Sequence, residues 1–314
     1  MKRAIVFLNM GAPRDLSEVS VFLKNMFNDK NIITVKSNFL RKLIATAIVT
    51  TRGKEARENY AKLGGKSPLV EETQKLLKKV EKQFPNDIVI NIMRYTPPFA
   101  QKELSWLKAK KVEEIILFPL YPQYSTTTVK SSLEDFYQAT QELSYTPTIK
   151  EIKPFYKNRS YNKAVFETIR DSICPQRDNL EEFDLIFSAH SLPKKIIYMG
   201  DNYKNEIERH VKILTHIIKK EGLNFANFHL AYQSKLGPVE WLEPSLEEKL
   251  QEIKSKKVII VPISFVLDNS ETEFELDLEY RIVAKELGFE DYRVAKCVND
   301  SDQFISTIKE LINK

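Results

Sequence analysis

The chain has 314 residues, 42% of them hydrophobic and 29% charged, with 48 basic and 43 acidic side chains and a net charge of +5. This balance is typical of a folded globular protein and excludes a largely disordered chain, and the length favours two domains because it exceeds what one hydrophobic core usually fills. Since the two signs of charge are mixed along the sequence, they predict no basic surface for a nucleic-acid partner.

The first residues of the sequence and its cysteines further restrict the class of protein. Residues 4–8 form an apolar segment that is too short for a signal peptide and favours a first buried strand. No apolar stretch reaches the roughly 18 residues that predict a transmembrane helix. The two cysteines, Cys174 and Cys297, lie far apart, which argues against a disulfide framework, a zinc site or an iron–sulfur cluster and fits a cytoplasmic protein.

Six short apolar segments recur along the chain, each followed by a longer segment with helical spacing. They are residues 4–8, 88–92, 115–120, 185–189, 228–232 and 258–265. Strands that alternate with helices predict βαβ units and parallel sheets covered on both faces. We expect an N-terminal domain over residues 1–155 and a C-terminal domain over 156–301, with a last helix at about 302–314 that packs back on the first domain.

Parallel sheets bind ligands beyond the carboxyl ends of their strands, so the residues that follow each strand are candidates for chemistry. His190 is the one histidine that stands at such a strand end. A near-neutral imidazole can accept a proton or bind a metal, although a buried histidine bonded to a backbone carbonyl would give the same pattern. The sequence has no G-x-G-x-x-G or Walker loop, which disfavours a nucleotide-dependent reaction.

Three glutamates follow the last apolar segment at a spacing of four residues: Glu271, Glu275 and Glu279. In a helix, and in a π-helical turn above all, this spacing places the carboxylates on one side as a ladder. Like charges at this spacing destabilise a helix, so a cation that compensates them is expected. Carboxylate oxygens are ligands that suit a divalent cation. A row of such weak carboxylate ligands would let an ion move along the helix and would not trap it. The alternative interpretation of the three glutamates is an acidic helix face that only contacts solvent.

Aromatic and hydroxyl residues form a third group near predicted strand ends. It contains residues 121–128 together with Met10, Arg94, Tyr95 and Trp241. Aromatic walls with Arg and hydroxyl groups suit a planar apolar ligand that carries carboxylates, although Tyr and Trp near Pro often only pack loops.

Seven motifs, in this order and spacing, resemble the ferrochelatase family over nearly the whole chain. They are LNMG at 8–11, GGKSP at 64–68, YPQYS at 121–125, SAHSLP at 188–193, GD-x-Y at 200–203, QSK-x-GP at 233–238 with WL at 241–242, and the segment 271–280. The resemblance implies an α/β fold with two Rossmann-like domains, each a parallel sheet flanked by helices, and a cleft between them. It also implies insertion of Fe²⁺ into protoporphyrin IX, with release of two protons, to form haem.

The resemblance assigns roles to individual residues. His190 and Glu271 match the catalytic pair, and His190, Glu271, Glu275 and Glu279 match residues that contact the metal. The residues that match contacts to the porphyrin are Met10, Arg52, Ser67, Arg94, Tyr95, Tyr121 and Trp241. Many members carry His where this chain has Asn269, and Asn cannot carry a proton charge at neutral pH.

The resemblance further implies no permanently bound cofactor and no iron–sulfur cluster, with Fe²⁺ and the porphyrin as substrates. It implies a cytoplasmic enzyme that contacts the inner membrane peripherally through residues 38–50, which could otherwise form an ordinary core helix. The alternatives are a porphyrin or haem carrier, for which Asn269 is the sequence hint, and a chelatase for coproporphyrin III, another tetrapyrrole or another metal.

Overall fold

The computed structural model describes residues 2–235 and 237–314, so Leu236 in the 233–238 motif lies outside the described residues. The chain divides into two compact units. The first comprises Met1–Pro154 and Ile308–Lys314, and the second comprises Phe155–Thr307. Each unit contains one four-stranded parallel sheet.

The first unit is built around the sheet β2-β1-β3-β4. Its strands are β1 (Arg3–Asn9), β2 (Ile88–Met93), β3 (Glu114–Pro119) and β4 (Thr148–Glu151). Its helices are α1 (Val19–Phe27), α2 (Asn38–Lys62), α3 (Pro68–Gln83), α4 (Ala100–Ala109) and α5 (Ser131–Glu142), with a π-helical turn at Thr126–Lys130. The central strand β1 is almost entirely buried because helices cover both faces of a parallel sheet.

The second unit repeats this strand order as β6-β5-β7-β8. Its strands are β5 (Phe183–His190), β6 (Asn227–Gln233), β7 (Lys257–Pro262) and β8 (Asp291–Val294). Its helices are α6 (Arg159–Asp171), α7 (Lys194–Tyr198), α8 (Tyr203–Lys220), α9 (Leu246–Glu252) and α10 (Tyr280–Glu286), with a 3₁₀ turn at Leu180–Glu182 and a π-helix at Glu271–Glu279. Two parallel sheets flanked by helices confirm the predicted fold class.

The last helix, α11 (Asp302–Asn313), begins in the second unit. From Ile308 onward its residues group with the first unit. There the Lys150 side chain, on β4, donates a hydrogen bond to the Ile312 carbonyl at 3.0 Å. Ile308 and Ile312 are both buried, so these two side chains contribute to an apolar core.

The strand predictions were wrong in two respects. The short edge strands β4 and β8 were missed because their residues are mostly polar and half-buried, so they leave no apolar segment in the sequence. The segment 258–265 was too long, since β7 ends at Pro262. Ser264 therefore stands just beyond a strand end and not inside the strand.

The helix α2 is unusually exposed for its length. Of its 25 residues only Ala45 and Tyr60 are buried, whereas Phe39 is 73% and Leu43 is 52% exposed. Residues 38–50 therefore do not form an ordinary core helix, which was the alternative to a membrane contact in the sequence analysis. Every helix in the described part of the chain is too short or too polar to cross a lipid bilayer.

Candidate active site

His190 is the last residue of β5, and its backbone is held on both sides. Its N–H donates to the Ser264 hydroxyl at 2.9 Å, and its carbonyl accepts from the Tyr203 hydroxyl at 3.0 Å. Tyr203 is buried at the start of α8. The position of His190 is therefore fixed by the residues that follow β7 and begin α8, while its side chain stays 37% exposed.

The imidazole of His190 pairs with Glu271, the first residue of the π-helix. Its Nδ1 lies 2.7 Å from Oε2 of Glu271. Partial burial disfavours the charged imidazolium of His190. The Glu271 carboxylate outweighs this effect through its charge and the hydrogen bond, and the charge of Glu275 adds to it, so the pKa of His190 is raised. The two predicted catalytic residues thus form one hydrogen-bonded pair.

Asn269 organises the start of the π-helix that carries the glutamates. Its side-chain oxygen accepts from the Glu271 N–H at 2.8 Å, and its own N–H donates to the Thr272 hydroxyl at 2.9 Å. A side-chain oxygen that binds a free N–H is the usual way in which a helix start is stabilised. π-Helices are rare and often mark functional sites, and this one spans the three glutamates for which a π-helical turn was predicted.

Glu275, one turn along the π-helix, is bound by the residues at the end of β6. The Ser234 N–H donates to Oε1 of Glu275 at 2.7 Å, and the Ser234 hydroxyl donates to Oε2. Burial of the carboxyl group raises the pKa of Glu275 to about 7, and repulsion from Glu271 adds to this, while the bonds from Ser234 work in the opposite direction. Glu275 can therefore exchange a proton near neutral pH.

Glu279 ends the π-helix at an exposed position. Three of the predicted metal-contacting residues, His190, Glu271 and Glu275, are thus linked by hydrogen bonds, either directly or through Ser234. Among the described residues, no three His, Cys, Asp or Glu side chains are grouped as a metal site would require. The carboxylates form an open row and not a closed set of ligands.

Arg94 and Tyr95, two of the predicted porphyrin contacts, belong to a polar network in the first unit. The Arg94 guanidinium lies 3.3 Å from Asp29 and 3.2 Å from Asp135, and its Nε donates to Ser131 at 3.0 Å. Tyr95 is 2% exposed and donates its hydroxyl to Asp29 at 2.9 Å. The Arg94 charge is therefore already matched by carboxylates, and the Tyr95 ring lies in the interior.

The other predicted porphyrin contacts differ in exposure. Met10, after β1, and Trp241 are half-buried, and Arg52 on α2 is 48% exposed. Ser67 is fully buried, and its hydroxyl caps α3 by accepting from the Leu69 N–H at 3.3 Å. Tyr121 is also buried, with its hydroxyl 3.3 Å from that of Ser132. Ser67, Tyr95 and Tyr121 thus have structural roles beneath the surface.

Sequence reasoning missed several residues that shape the site. Ser264 was hidden because the preceding strand was predicted too long, and Tyr203 stood in a motif without an assigned role. Asp29 and Asp135, which pair with Arg94, occur in segments without a recognisable motif. With the correct end of β7, Ser264 would have been a candidate, because it lies two residues beyond that strand and the residues that follow parallel strands are where ligands bind.

Comparison with known proteins gives one consistent family. The family model described as Ferrochelatase matches residues 2–314. A ferrochelatase of Sulfurimonas denitrificans is 52% identical over 100% of this chain and 99% of its own length, and one of Nitratiruptor sp. is 51% identical over 99% of each. The sirohydrochlorin chelatase SirB of Bacillus subtilis subspecies spizizenii, in complex with cobalt, matches with a TM-score of 0.60 at 11% identity, over 100% of this chain and 94% of SirB, which shows a shared fold.

Proposed function

The chain belongs to the ferrochelatase family, the lyases that insert iron into a porphyrin to form haem, and from that premise we propose that its porphyrin is protoporphyrin IX. Metal insertion releases two pyrrole protons, so the site needs a group that accepts protons at neutral pH. It also needs contacts that stabilise a bent ring, because bending turns the nitrogen lone pairs toward the metal.

The pair formed by His190 and Glu271 is the observation that carries the proposal. Since Nδ1 of His190 is bound to Glu271 at 2.7 Å, the nitrogen proposed to accept a pyrrole proton is Nε2. A carboxylate on Nδ1 orients an imidazole and increases the basicity of its other nitrogen. His190 is therefore assigned as the proton acceptor and Glu271 as its partner.

Glu275 and Glu279 extend this site along the π-helix. Carboxylate oxygens suit divalent ions, and an open row of them binds an ion less tightly than a closed set of ligands does. These two glutamates are therefore assigned to the route by which Fe²⁺ reaches His190 and Glu271. The proton exchange of Glu275 near neutral pH supports this role, because a carboxylate that loses its proton to solvent gains affinity for the cation.

For the porphyrin itself, the residues with accessible side chains are the better candidates. Met10 and Trp241 can offer apolar surface, and Arg52 can offer charge to the propionates. Arg94 is already paired with carboxylates, so it is proposed to line the face of the macrocycle and not to bind a propionate. Ser67, Tyr95 and Tyr121 are proposed to support that surface from beneath, since all three are buried.

Residues 38–50 are the proposed contact with the membrane. Phe39, Leu40 and Leu43 are 73%, 47% and 52% exposed, with Arg41 and Lys42 between them. Apolar side chains beside basic ones suit the surface of an anionic bilayer, where a hydrophobic porphyrin dissolves. We place the enzyme in the cytoplasm, with peripheral attachment to the inner membrane.

We further propose that the chain holds no iron–sulfur cluster or other permanent cofactor and has no nucleic-acid partner. Cys174 is exposed and Cys297 is buried, whereas such clusters usually need four cysteine ligands. Iron is then a substrate only.

The test is anaerobic incubation of the protein with Fe²⁺ and protoporphyrin IX. The reaction is monitored by the loss of porphyrin fluorescence and the growth of the haem absorption spectrum. Haem should form, and His190→Ala should slow its formation by about 100-fold or more while porphyrin still binds. Tight porphyrin binding without metallation in the unaltered protein would instead indicate a carrier. Faster metallation of coproporphyrin III would reassign the substrate.

A further inference from the structure

Ser234 binds both oxygens of the Glu275 carboxylate. It follows β6 directly, and its φ of +65° lies in the left-handed region that few residues other than Gly, Asn and Asp adopt. In this conformation its N–H donates to Oε1 of Glu275 at 2.7 Å, and its hydroxyl donates to Oε2. One residue in an unusual backbone conformation therefore sets the orientation of this carboxylate.

A second pair of side chains, Gln233 and Ser188, is linked to Glu275 from the same side as Ser234. The Gln233 amide nitrogen lies 3.4 Å from Oε2 of Glu275, and the Gln233 amide oxygen accepts from the Ser188 hydroxyl at 2.6 Å. Gln233 and Ser188 are 1% and 0% exposed. Because Ser188 binds the oxygen of the amide, the nitrogen of that amide is directed to Glu275. A chain of hydrogen bonds thus runs from β5 through β6 to the π-helix.

The Ser234 hydroxyl also reaches the neighbouring carboxylate. Its oxygen lies 3.2 Å from Oε2 of Glu271, the same oxygen that pairs with His190. A hydroxyl has a single proton to donate, so it can serve one of the two carboxylates at a time. Ser234 therefore lies between Glu271 and Glu275 and keeps two carboxylates of like charge beside each other.

We propose that Ser234 is a positioning residue that, together with Gln233 and Ser188 behind Glu275, presents Glu271 and Glu275 to the incoming Fe²⁺. The proposal rests on the proposed function, because it assigns a role to Ser234 within that metal route. If the Ser234 hydroxyl is removed, Glu271 and Glu275 lose the donor that they share, and the repulsion between them is no longer offset. Of the bonds described above, Glu275 then keeps the one from the Ser234 N–H and the 3.4 Å contact to the Gln233 amide.

The decisive variant is Ser234→Gly, because Gly adopts a positive φ without strain and removes the hydroxyl together with its methylene. At saturating protoporphyrin IX, the Fe²⁺ concentration for half-maximal rate should rise about tenfold, as expected from a lost hydrogen bond to a charged group. The half-saturating porphyrin concentration should change by less than about twofold. Ser234→Ala should give a similar increase for Fe²⁺, with lower stability because Ala is strained at this φ.

Ser188→Ala tests the second pair of side chains, since Ser188 acts on Glu275 only through Gln233. It should shift the Fe²⁺ dependence in the same direction as Ser234→Gly, but less. Ser191→Ala is the matched control: Ser191 is equally buried, and within the described part of the chain its hydroxyl makes a single long contact, at 3.4 Å to the Leu242 carbonyl. The control should leave both substrate dependences unchanged.

Calorimetric binding of Co²⁺ in the absence of porphyrin separates this inference from the proposed function. Weaker Co²⁺ binding by Ser234→Gly than by Ser191→Ala would support a positioning role even if the unaltered protein failed to metallate a porphyrin. Equal Co²⁺ binding, or an equal change in the Fe²⁺ and porphyrin dependences, would overturn it. In that case Ser234 would only stabilise the fold.

Discussion

The His190 imidazole is subject to two opposing influences on its pKa. Burial favours the neutral ring, whereas the Glu271 carboxylate favours the charged ring and prevails. A raised pKa means that the neutral form, which alone can accept a proton, predominates only above that pKa. Activity that depends on His190 should therefore rise with pH through a range above the ordinary histidine value.

Removing the charge of Glu271 tests this balance. In Glu271→Gln the attraction is lost while burial remains, so the pKa of His190 should fall. The measurement is a pH titration of the histidine ring signals by NMR, with the other three histidines as internal references. An unchanged His190 titration would mean that Glu271 does not control its proton.

At the scale of elements, the π-helix depends on how it begins. The Asn269 side-chain oxygen accepts from the Glu271 N–H at 2.8 Å. This gives Asn269 a structural function that needs no proton charge. It also ties the orientation of Glu271 to the first turn of the π-helix.

Asn269→Ala should remove this bond and lower the free energy of unfolding by about 1 kcal/mol, the usual cost of a lost helix cap. Asn269→Asp keeps an acceptor oxygen at the helix start but loses the bond that the Asn269 amide nitrogen donates to the Leu267 carbonyl at 3.0 Å. Its stability should therefore lie between that of the Ala variant and that of the unaltered chain. Urea unfolding followed by circular dichroism measures both. Equal stability of the Ala variant and the unaltered chain would contradict the capping role.

The helix α2 offers a second test at this scale. Replacing Phe39 and Leu43 with Ser should abolish sedimentation with anionic vesicles at low salt, because these side chains supply apolar area for the bilayer. Ile282→Ser, at a side chain that is 60% exposed in the second unit, is the control and should sediment normally. Sedimentation of the double variant would place the membrane contact elsewhere or exclude it.

For the whole molecule, the two units share one strand order, but the first unit is completed only by the end of the chain. Ile308 and Ile312 are 0% and 2% exposed and come more than 150 residues after β4 in the sequence. Residues 308–314, which group with the first unit, therefore join it only after the sequence of the second unit.

Ile312→Ala should lower the free energy of unfolding by about 2 to 4 kcal/mol, since it removes a buried side chain. Hydrogen exchange should accelerate mainly in the first unit, with β4 affected because Lys150 binds the Ile312 carbonyl. Lys309→Ala, an exposed position on the same helix, should change little. Faster exchange confined to β5 through β8 would contradict this assignment.

The fold class and six of the eight strands in the described part of the chain could be predicted from the sequence, which also gave the prediction that His190 and Glu271 form the catalytic pair. Buried parallel strands leave continuous apolar segments, and the motifs around His190 and Glu271 are local in the chain. The edge strands β4 and β8 escaped because half-buried polar strands have no such pattern.

Only the tertiary structure decided which side chains meet. The bond between His190 and Glu271 spans 81 positions, and the bond between Ser234 and Glu275 spans 41. It also showed that Ser67 and Tyr95, two of the predicted porphyrin contacts, are buried. The physical reason is that pKa values, burial and hydrogen bonds depend on neighbours in space, which a linear sequence does not specify.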